Sequence, residues 1–70
     1  MHHTELVNII KSRREMLLVT QETLAELSGV SLRTIKQFET NKGNPTILTL
    51  QKLSAVLGLE ITLQIKRLDP

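Results

Sequence analysis

The sequence predicts a single all-α domain followed by one short β-strand, and two features of the residue pattern carry this prediction. Apolar residues recur every three or four positions through four successive segments, and the last three of these end at glycine or at a cluster of turn-forming residues. After Gly58 the period changes to strict alternation, which is typical of a strand with one buried face. A chain of 70 residues has room for one such domain, whose core alone is marginal, so oligomerisation would stabilise it.

The first two helices are predicted from apolar spacing and from their caps. Between Thr4 and Leu18 the apolar residues lie on one side of a helix: Leu6, Ile9, Ile10 and Leu17. The hydroxyl of Thr20 can cap a second helix, which should end at Gly29 because glycine readily takes the left-handed conformation that follows a helix. The second helix is expected to bury two leucines, Leu24 and Leu27.

The third helix follows the second across a very tight turn. Only Val30 separates Gly29 from Ser31, which is another good N-cap. The apolar pair Ile35 and Phe38 marks the inner face of this helix. Turn-forming residues between positions 40 and 45 then predict a loop.

A fourth helix is predicted from Thr46, a further cap, to about Leu57, with Gly58 as its stop signal. Its inward residues are expected to be Ile47, Leu50, Leu53 and Leu57. We therefore divide the chain into a helical domain, residues 1–58, and a C-terminal strand and tail, residues 59–70.

The predicted strand has no partner strand elsewhere in the chain. Its apolar residues alternate with polar ones and are Leu59, Ile61, Leu63 and Ile65. A lone strand leaves backbone donors and acceptors unpaired. The simplest solution is antiparallel pairing with the same strand of a second copy, which makes these four residues a predicted dimer interface. The alternatives are a strand folded back on its own domain and an extended arm.

Composition excludes several classes of protein. The chain has no cysteine, so it has no disulfide, no thiolate nucleophile and no cysteine-based zinc site. No apolar run approaches the roughly 20 residues that span a bilayer, and a cytoplasmic protein is expected. The adjacent His2 and His3 lie near a terminus without a third ligand, so no metal and no cofactor are expected. The absence of an internal histidine and of a glycine-rich phosphate loop argues against an enzyme.

The outer face of the third helix has basic and amide side chains. Arg33, Lys36 and Gln37 lie roughly opposite the apolar pair of this helix. Arginine can contact guanine through two hydrogen bonds, glutamine can do so to adenine, and lysine can contact guanine or a phosphate. A net charge of +2 suits a polyanionic partner. A solvated helix face can have the same composition, so these three residues alone leave both interpretations open.

A longer string of spaced residues resembles the lambda-repressor-like (Cro, CI and Xre) helix-turn-helix family. It consists of Thr20-Gln21-Glu22-Thr23-Leu24-Ala25, Gly29-Val30-Ser31, Ile35, Glu39 and Asn44-Pro45-Thr46. The resemblance covers about residues 6 to 58. It implies a compact bundle of four or five helices in which the second and third form the DNA-binding unit, with double-stranded DNA as the partner.

The resemblance also assigns roles to individual positions. The implied base-reading residues are Arg33, Gln37, Lys36 and Leu32, where Leu32 contacts a thymine methyl group or packs on the neighbouring helix. The implied backbone contacts are Gln21, Thr20, Arg14, Ser31, Thr34, Lys42 and Asn44. In this family the residue at the position of Gln21 sometimes also contacts a base at the edge of the half-site. Arg14 and Glu39 match two residues that form a partly buried ion pair in many members of this family. The resemblance therefore implies a structural role for Arg14 before a contact with DNA. An ordinary first-turn glutamine is the alternative for Gln21.

Two positions depart from the pattern of this family. Leu18 stands where glycine is usual, which suggests a differently shaped turn after the first helix. Asn41 also replaces a glycine, but asparagine tolerates the left-handed conformation well. The alternating tail resembles the C-terminal strand of HipB-like antitoxins, which are small dimeric repressors.

Two functions therefore compete. The first is a dimeric repressor of a palindromic operator, with recognition helices about 34 Å apart in successive major grooves. The second is an antitoxin that neutralises a partner toxin, and a neighbouring gene for a kinase-like toxin would favour it. A third possibility is an interaction-only domain that has kept the fold and lost DNA binding.

Overall fold

The computed structural model describes residues 3–62, which form four helices. These are α1, His3–Met16; α2, Gln21–Ser28; α3, Leu32–Glu39; and α4, Ile47–Val56. No strand occurs between residues 3 and 62, so this part of the chain is all-α as predicted. Within the same range, no helix is long and apolar enough to cross a membrane.

Helices α2, α3 and α4 begin in the same way, and the three predicted caps are confirmed. In each, the hydroxyl of the capping residue accepts a hydrogen bond from a backbone N–H three residues later: Thr23 to Thr20 at 3.0 Å, Thr34 to Ser31 at 3.1 Å and Thr49 to Thr46 at 3.1 Å. Each bond satisfies a backbone donor that has no partner inside its helix, which stabilises the fold by about 1 kcal/mol per cap.

The C-terminal ends of α1, α3 and α4 also share one geometry. Each has a left-handed residue, Leu18 (φ 58°), Asn41 (φ 64°) or Gly58 (φ 70°). The N–H of the residue that follows then bonds to a carbonyl five positions back, as from Val19 to Arg14 at 3.1 Å. The turn after α1 therefore keeps the conformation that glycine would take. The expectation of a different turn at Leu18 is wrong, because the hydrogen bonds at the end of the helix hold leucine in a disfavoured region.

The core lies where the four helices meet. Among the described residues, the buried apolar side chains are Val7, Ile10, Leu24, Val30, Ile35, Phe38, Leu50, Leu53 and Leu57. Phe38 is the only aromatic residue of the chain, and aliphatic side chains surround it. The inner faces predicted for α3 and for most of α4 are therefore confirmed.

Two residues predicted to be buried are exposed instead. On the apolar side predicted for the first helix, Ile9 and Leu17 are also exposed, and Leu17 follows the end of α1. Leu27 has 65% of its surface exposed, because α2 turns Leu24, Ala25 and Ser28 inward, and Leu27 lies beside this stripe rather than on it. Ile47, the first residue of α4, is 64% exposed and lies on the wall of an open groove beside α1. In these short helices, only a narrow stripe of side chains along one side is buried.

Two side-chain hydrogen bonds tie distant parts of the chain together. Nε of Arg13 donates to the carbonyl of Leu57 at 2.9 Å, which joins the end of α1 to the end of α4. Nδ2 of Asn41 donates to Oγ1 of Thr4 at 3.0 Å, which joins the loop after α3 to the start of α1. These bonds therefore attach the end of α1 to α4 and its start to the loop after α3.

The predicted C-terminal strand is not found in the part of it that the structure describes. Residues 59–62 carry no strand, although Leu59 packs against the core and Ile61 remains exposed. A strand needs the backbone of a neighbouring strand to complete its hydrogen bonds, and residues 3–62 supply none. Leu63 and Ile65 lie outside the described residues, as does His2.

Candidate nucleic-acid interface

Helices α2 and α3 form a unit whose connecting turn is fixed by hydrogen bonds. Gly29 takes a φ of 75°, and its N–H donates to the carbonyl of Ala25 at 3.0 Å. The N–H of Val30 donates to Oγ of Ser28 at 3.1 Å, while the Val30 side chain is buried in the core. Ser31 then caps α3. Because every residue of this turn is held, α3 has a fixed orientation relative to α2.

Helix α3 has one buried side and one exposed side. Ile35 and Phe38 are buried, as the sequence predicts. The structure brings Arg33, Lys36 and Gln37 together on the exposed side, since they are spaced by three and four residues. This polar group, which we call the reading face, combines two positive charges with an amide.

The other two predicted contacts on α3 lie at the edge of the reading face. Leu32 and Thr34 are half-buried. The hydroxyl of Thr34 accepts a hydrogen bond from the Ser31 hydroxyl at 2.8 Å, so both groups contribute to the cap of the helix. Thr20 has the same role at the start of α2, where its hydroxyl bonds to that of Thr23. Thr20 and Ser31 are exposed and Thr34 is half-buried, and the hydroxyls of all three contribute to helix caps.

The loop after α3 provides a second polar surface next to the reading face. Lys42 and Asn44 are exposed in this loop. Together with Gln37 and the first turn of α4 they line a cleft of about 240 Å³. The structure thus brings the predicted loop contacts close to α3.

An ion pair joins α1 to the end of α3. Nε and Nη2 of Arg14 donate to the two carboxylate oxygens of Glu39 at 2.7 and 2.9 Å. The side chains of Arg14 and Glu39 are only 12% and 3% exposed. The hydrogen bond to Glu39 raises the pKa of the Arg14 guanidinium, partial burial opposes this change, and the negative charge of Glu39 adds to the rise. The guanidinium therefore stays charged.

All three guanidinium nitrogens of Arg14 donate hydrogen bonds within the protein. Its third nitrogen, Nη1, donates to the carbonyl of Val19 at 2.8 Å, in the turn that leads into α2. This bond holds the turn against the ion pair. The geometry therefore favours the structural role of Arg14 over a backbone contact with DNA.

The sequence does not reveal a third member of this network. Nε2 of Gln21, at the first position of α2, donates to Oε1 of Glu39 at 3.0 Å. Eighteen residues separate the two positions, and no spacing rule for helices pairs them. The contact arises because α2 packs across the end of α3, which only the tertiary structure determines.

An open apolar groove lies on a different side of the domain. It is bounded by α1, α4 and residues 59–62, and its volume is about 370 Å³. Its wall includes three apolar side chains that remain exposed, Ile9, Ile47 and Ile61. Within the described residues nothing covers this groove, which is distinct from the reading face.

Comparison with known proteins agrees with this geometry. The helix-turn-helix family matches residues 10–64, which is more than half of the chain. The antitoxin HipB of Escherichia coli (strain K12) is 38% identical over 60 residues, a match that spans 86% of this chain and 68% of HipB. The chain therefore belongs to the Cro/CI/Xre-type helix-turn-helix family and is a HipB-like member of it.

Proposed function

We propose that this protein is a sequence-specific DNA-binding regulator that represses transcription as a dimer on a palindromic operator. The observation that carries the proposal is the reading face on α3. Hydrogen bonds fix each residue of the turn that precedes this helix. A rigid helix with exposed arginine, lysine and glutamine suits the major groove, where these side chains match guanine and adenine.

The residues of the reading face have distinct roles in this proposal. Arg33 contacts a guanine through two hydrogen bonds, and Gln37 contacts an adenine. Lys36 lies between them and contacts either guanine or a phosphate. Leu32, half-buried at the start of α3, contacts a thymine methyl group.

The backbone contacts surround the reading face. Lys42 and Asn44 approach a phosphate from the loop after α3. Gln21 and the hydroxyl groups at the starts of the helices approach other phosphates; these hydroxyl residues are Thr20, Ser31 and Thr34. Helix N-termini favour phosphate because their backbone N–H groups carry partial positive charge. These contacts set the register of the protein on DNA without reading sequence.

Dimerisation brings two reading faces to successive half-sites. The open apolar groove supports this part of the proposal, because Leu59 and Ile61 lie along it and the alternating pattern continues beyond them in Leu63 and Ile65. Antiparallel pairing of two such tails would satisfy their backbone groups and cover both grooves. In this proposal residues 59–70 are the dimerisation element and residues 1–58 are the DNA-binding domain.

The experiment that tests the proposal is selection of bound sequences from a random duplex library at two salt concentrations. Sequence-independent binding weakens steeply with salt, whereas contacts to bases preserve a preferred sequence. We expect a two-fold symmetric site whose half-sites are about one helical turn, or about 34 Å, apart. Recovery of no preferred sequence, or of binding that disappears with moderate salt, would contradict it and favour an interaction-only domain.

The second candidate function is that of an antitoxin, and the similarity to HipB favours it. In this case the protein binds and neutralises a partner toxin, and its DNA binding regulates its own operon. The test is expression with the product of the neighbouring gene. If the protein restores growth to cells that express this gene product and also co-purifies with it, the antitoxin role is established. If it does neither, only the proposed repressor function remains.

A further inference from the structure

The turn between α1 and α2 exposes three consecutive large apolar residues. Met16, Leu17 and Leu18 have 68%, 42% and 90% of their surface exposed, and we call them the apolar turn. Arg13 holds this turn on its α1 side, since its Nη1 contacts Sδ of Met16 at 3.9 Å while its Nε donates to the end of α4. Single exposed apolar residues are ordinary, but a contiguous exposed group is typical of a surface that contacts another protein.

Leu18 occupies a backbone conformation that is unfavourable and gains no burial from it. Its φ of 58° is disfavoured for a residue with a large side chain, whereas glycine or asparagine fits well. Two backbone hydrogen bonds hold it there, from Leu18 to Glu15 at 3.0 Å and from Val19 to Arg14 at 3.1 Å. Strained residues cluster at functional sites. Contact with another molecule would give this leucine the burial that its own domain does not provide.

The exposed surface next to the apolar turn is acidic. Glu15 and Glu22 lie three and four positions from Leu18 on either side, and Glu26 follows on α2; all three glutamates are exposed. Residues 15–32 contain no lysine or arginine. These charges would repel the phosphates of DNA and attract a basic protein surface. The apolar turn is therefore suited to a protein rather than to a nucleic acid.

The charge of Arg14 does not offset this acidic surface, because Arg14 is paired with Glu39. The pKa of Arg14 is raised first by its hydrogen bond to Glu39 and to a smaller extent by the charges of Glu15 and Glu22. Both exposed glutamates therefore lie within electrostatic reach of one guanidinium, on the same side of the domain. Arg13 borders the α1 side of the turn, while the α2 side is acidic.

We propose that the apolar turn is a docking surface for a partner protein, in which Leu18 inserts into an apolar pocket bordered by lysine or arginine side chains. The pocket would bury the leucine, and its basic rim would pair with Glu15 and Glu22. The open apolar groove of a second copy does not match this description, because the charged residue in its described wall is Glu60, which would repel the same glutamates. The inference rests on the second candidate function, binding of a partner toxin, and names the surface that binds it.

The first test measures the affinity of the full-length protein for the purified product of the neighbouring gene by calorimetry. Leu18→Ala should weaken binding by about tenfold or more, because the burial of a leucine side chain is lost. Leu48→Ala is the matched control and should bind as the wild type does, since Leu48 is 59% exposed in α4 and no acidic residue lies in or next to this helix. Leu18→Gly should lose the same affinity although glycine takes the backbone conformation freely, so unfolding would not explain the loss.

The outcomes distinguish this inference from the function on which it rests. If the wild-type protein binds the gene product and Leu18→Ala binds it equally well, the inference is overturned and the antitoxin function stands. Equal weakening by Leu18→Ala and Leu48→Ala would overturn it too. If the wild-type protein does not bind, the antitoxin function fails and the inference fails with it, while repression of an operator is tested separately by selection of DNA sequences.

The second test addresses the basic rim of the partner. Glu22→Gln should weaken binding and make the affinity less sensitive to salt, because salt screens the attraction between exposed charges. Glu5→Gln is the control, since Glu5 is also an exposed glutamate in the first turn of a helix, and it should change neither quantity. An unchanged affinity and salt dependence for Glu22→Gln would refute the basic rim.

Photo-crosslinking identifies what the apolar turn contacts. A photoreactive phenylalanine analogue in place of Leu18 should give a product with the mass of one copy of this chain and one of the gene product. The same analogue in place of Leu48 should give no such product. A crosslink between two copies of this chain would assign the apolar turn to self-association and overturn the inference.

Discussion

Replacement of Leu18 by glycine should stabilise this protein. Leu18 has a φ of 58°, a region that an L-residue occupies at a cost of about 1–2 kcal/mol. Glycine takes this conformation freely, but it loses more backbone freedom on folding, which offsets about 0.5–1 kcal/mol. The side chain is 90% exposed, so its removal sacrifices almost no burial. The net gain expected for Leu18→Gly is about 0.5–1 kcal/mol.

The neighbouring residue provides a matched control. Leu17 is also a leucine in the turn after α1, but it is not among the described residues with positive φ, and only 42% of its surface is exposed. Leu17→Gly therefore relieves no strain, adds backbone freedom to the unfolded chain and removes buried surface. It should destabilise the protein by about 1 kcal/mol or more. Both substitutions replace leucine by glycine, but they are expected to change the free energy of unfolding in opposite directions.

The assay is urea unfolding followed by circular dichroism at one fixed protein concentration. A gain of 1 kcal/mol corresponds to a rise in Tm of about 4–8 °C for a domain of this size, so a thermal scan gives a second measure. Fixed concentration matters because dimerisation would couple stability to concentration. If Leu18→Gly lowers the stability as Leu17→Gly does, strain at Leu18 is refuted.

Three further predictions concern the helix end, the reading face and the tail. Gly58→Ala should destabilise by about 1 kcal/mol in urea unfolding, because Gly58 has a φ of 70°, which alanine adopts only with strain; unchanged stability would contradict this. Arg33→Ala should weaken operator binding by about 1–3 kcal/mol and reduce the base preference at one operator position. Lys42→Ala should weaken binding to all sequences alike and reduce the slope of log affinity against log salt concentration by about 1. A uniform loss for Arg33→Ala would make it a phosphate contact. Leu63→Asp should give monomers in sedimentation experiments, and an unchanged dimer mass would refute pairing through the tail.

Local features of the fold could be predicted because they depend on residues close together in the chain. The caps at Thr20, Ser31 and Thr46 each need one hydroxyl and one N–H three residues away. The two sides of α3 follow from the helical period, which separates Ile35 and Phe38 from the polar residues. These features depend on residues a few positions apart, so the sequence pattern suffices to predict them.

Less local features could not be predicted in the same way. Spacing alone placed Leu27 in the core, yet α2 turns Ala25 and Ser28 inward beside Leu24 and leaves Leu27 exposed. A short helix with scattered apolar residues allows more than one inward stripe. The choice between them depends on the surfaces of the neighbouring helices.

The sequence by itself determined the four helices, the tight turn between α2 and α3, and the residues of the reading face, since all of these follow from short-range hydrogen bonding and helical period. Only the tertiary structure decided that Glu39 would hold Gln21 as well as Arg14, and that an apolar groove would stay open beside residues 59–62. The physical reason is that these features arise where helices far apart in the chain pack against one another. Their angles and contacts result from the packing of the whole core rather than from any one segment.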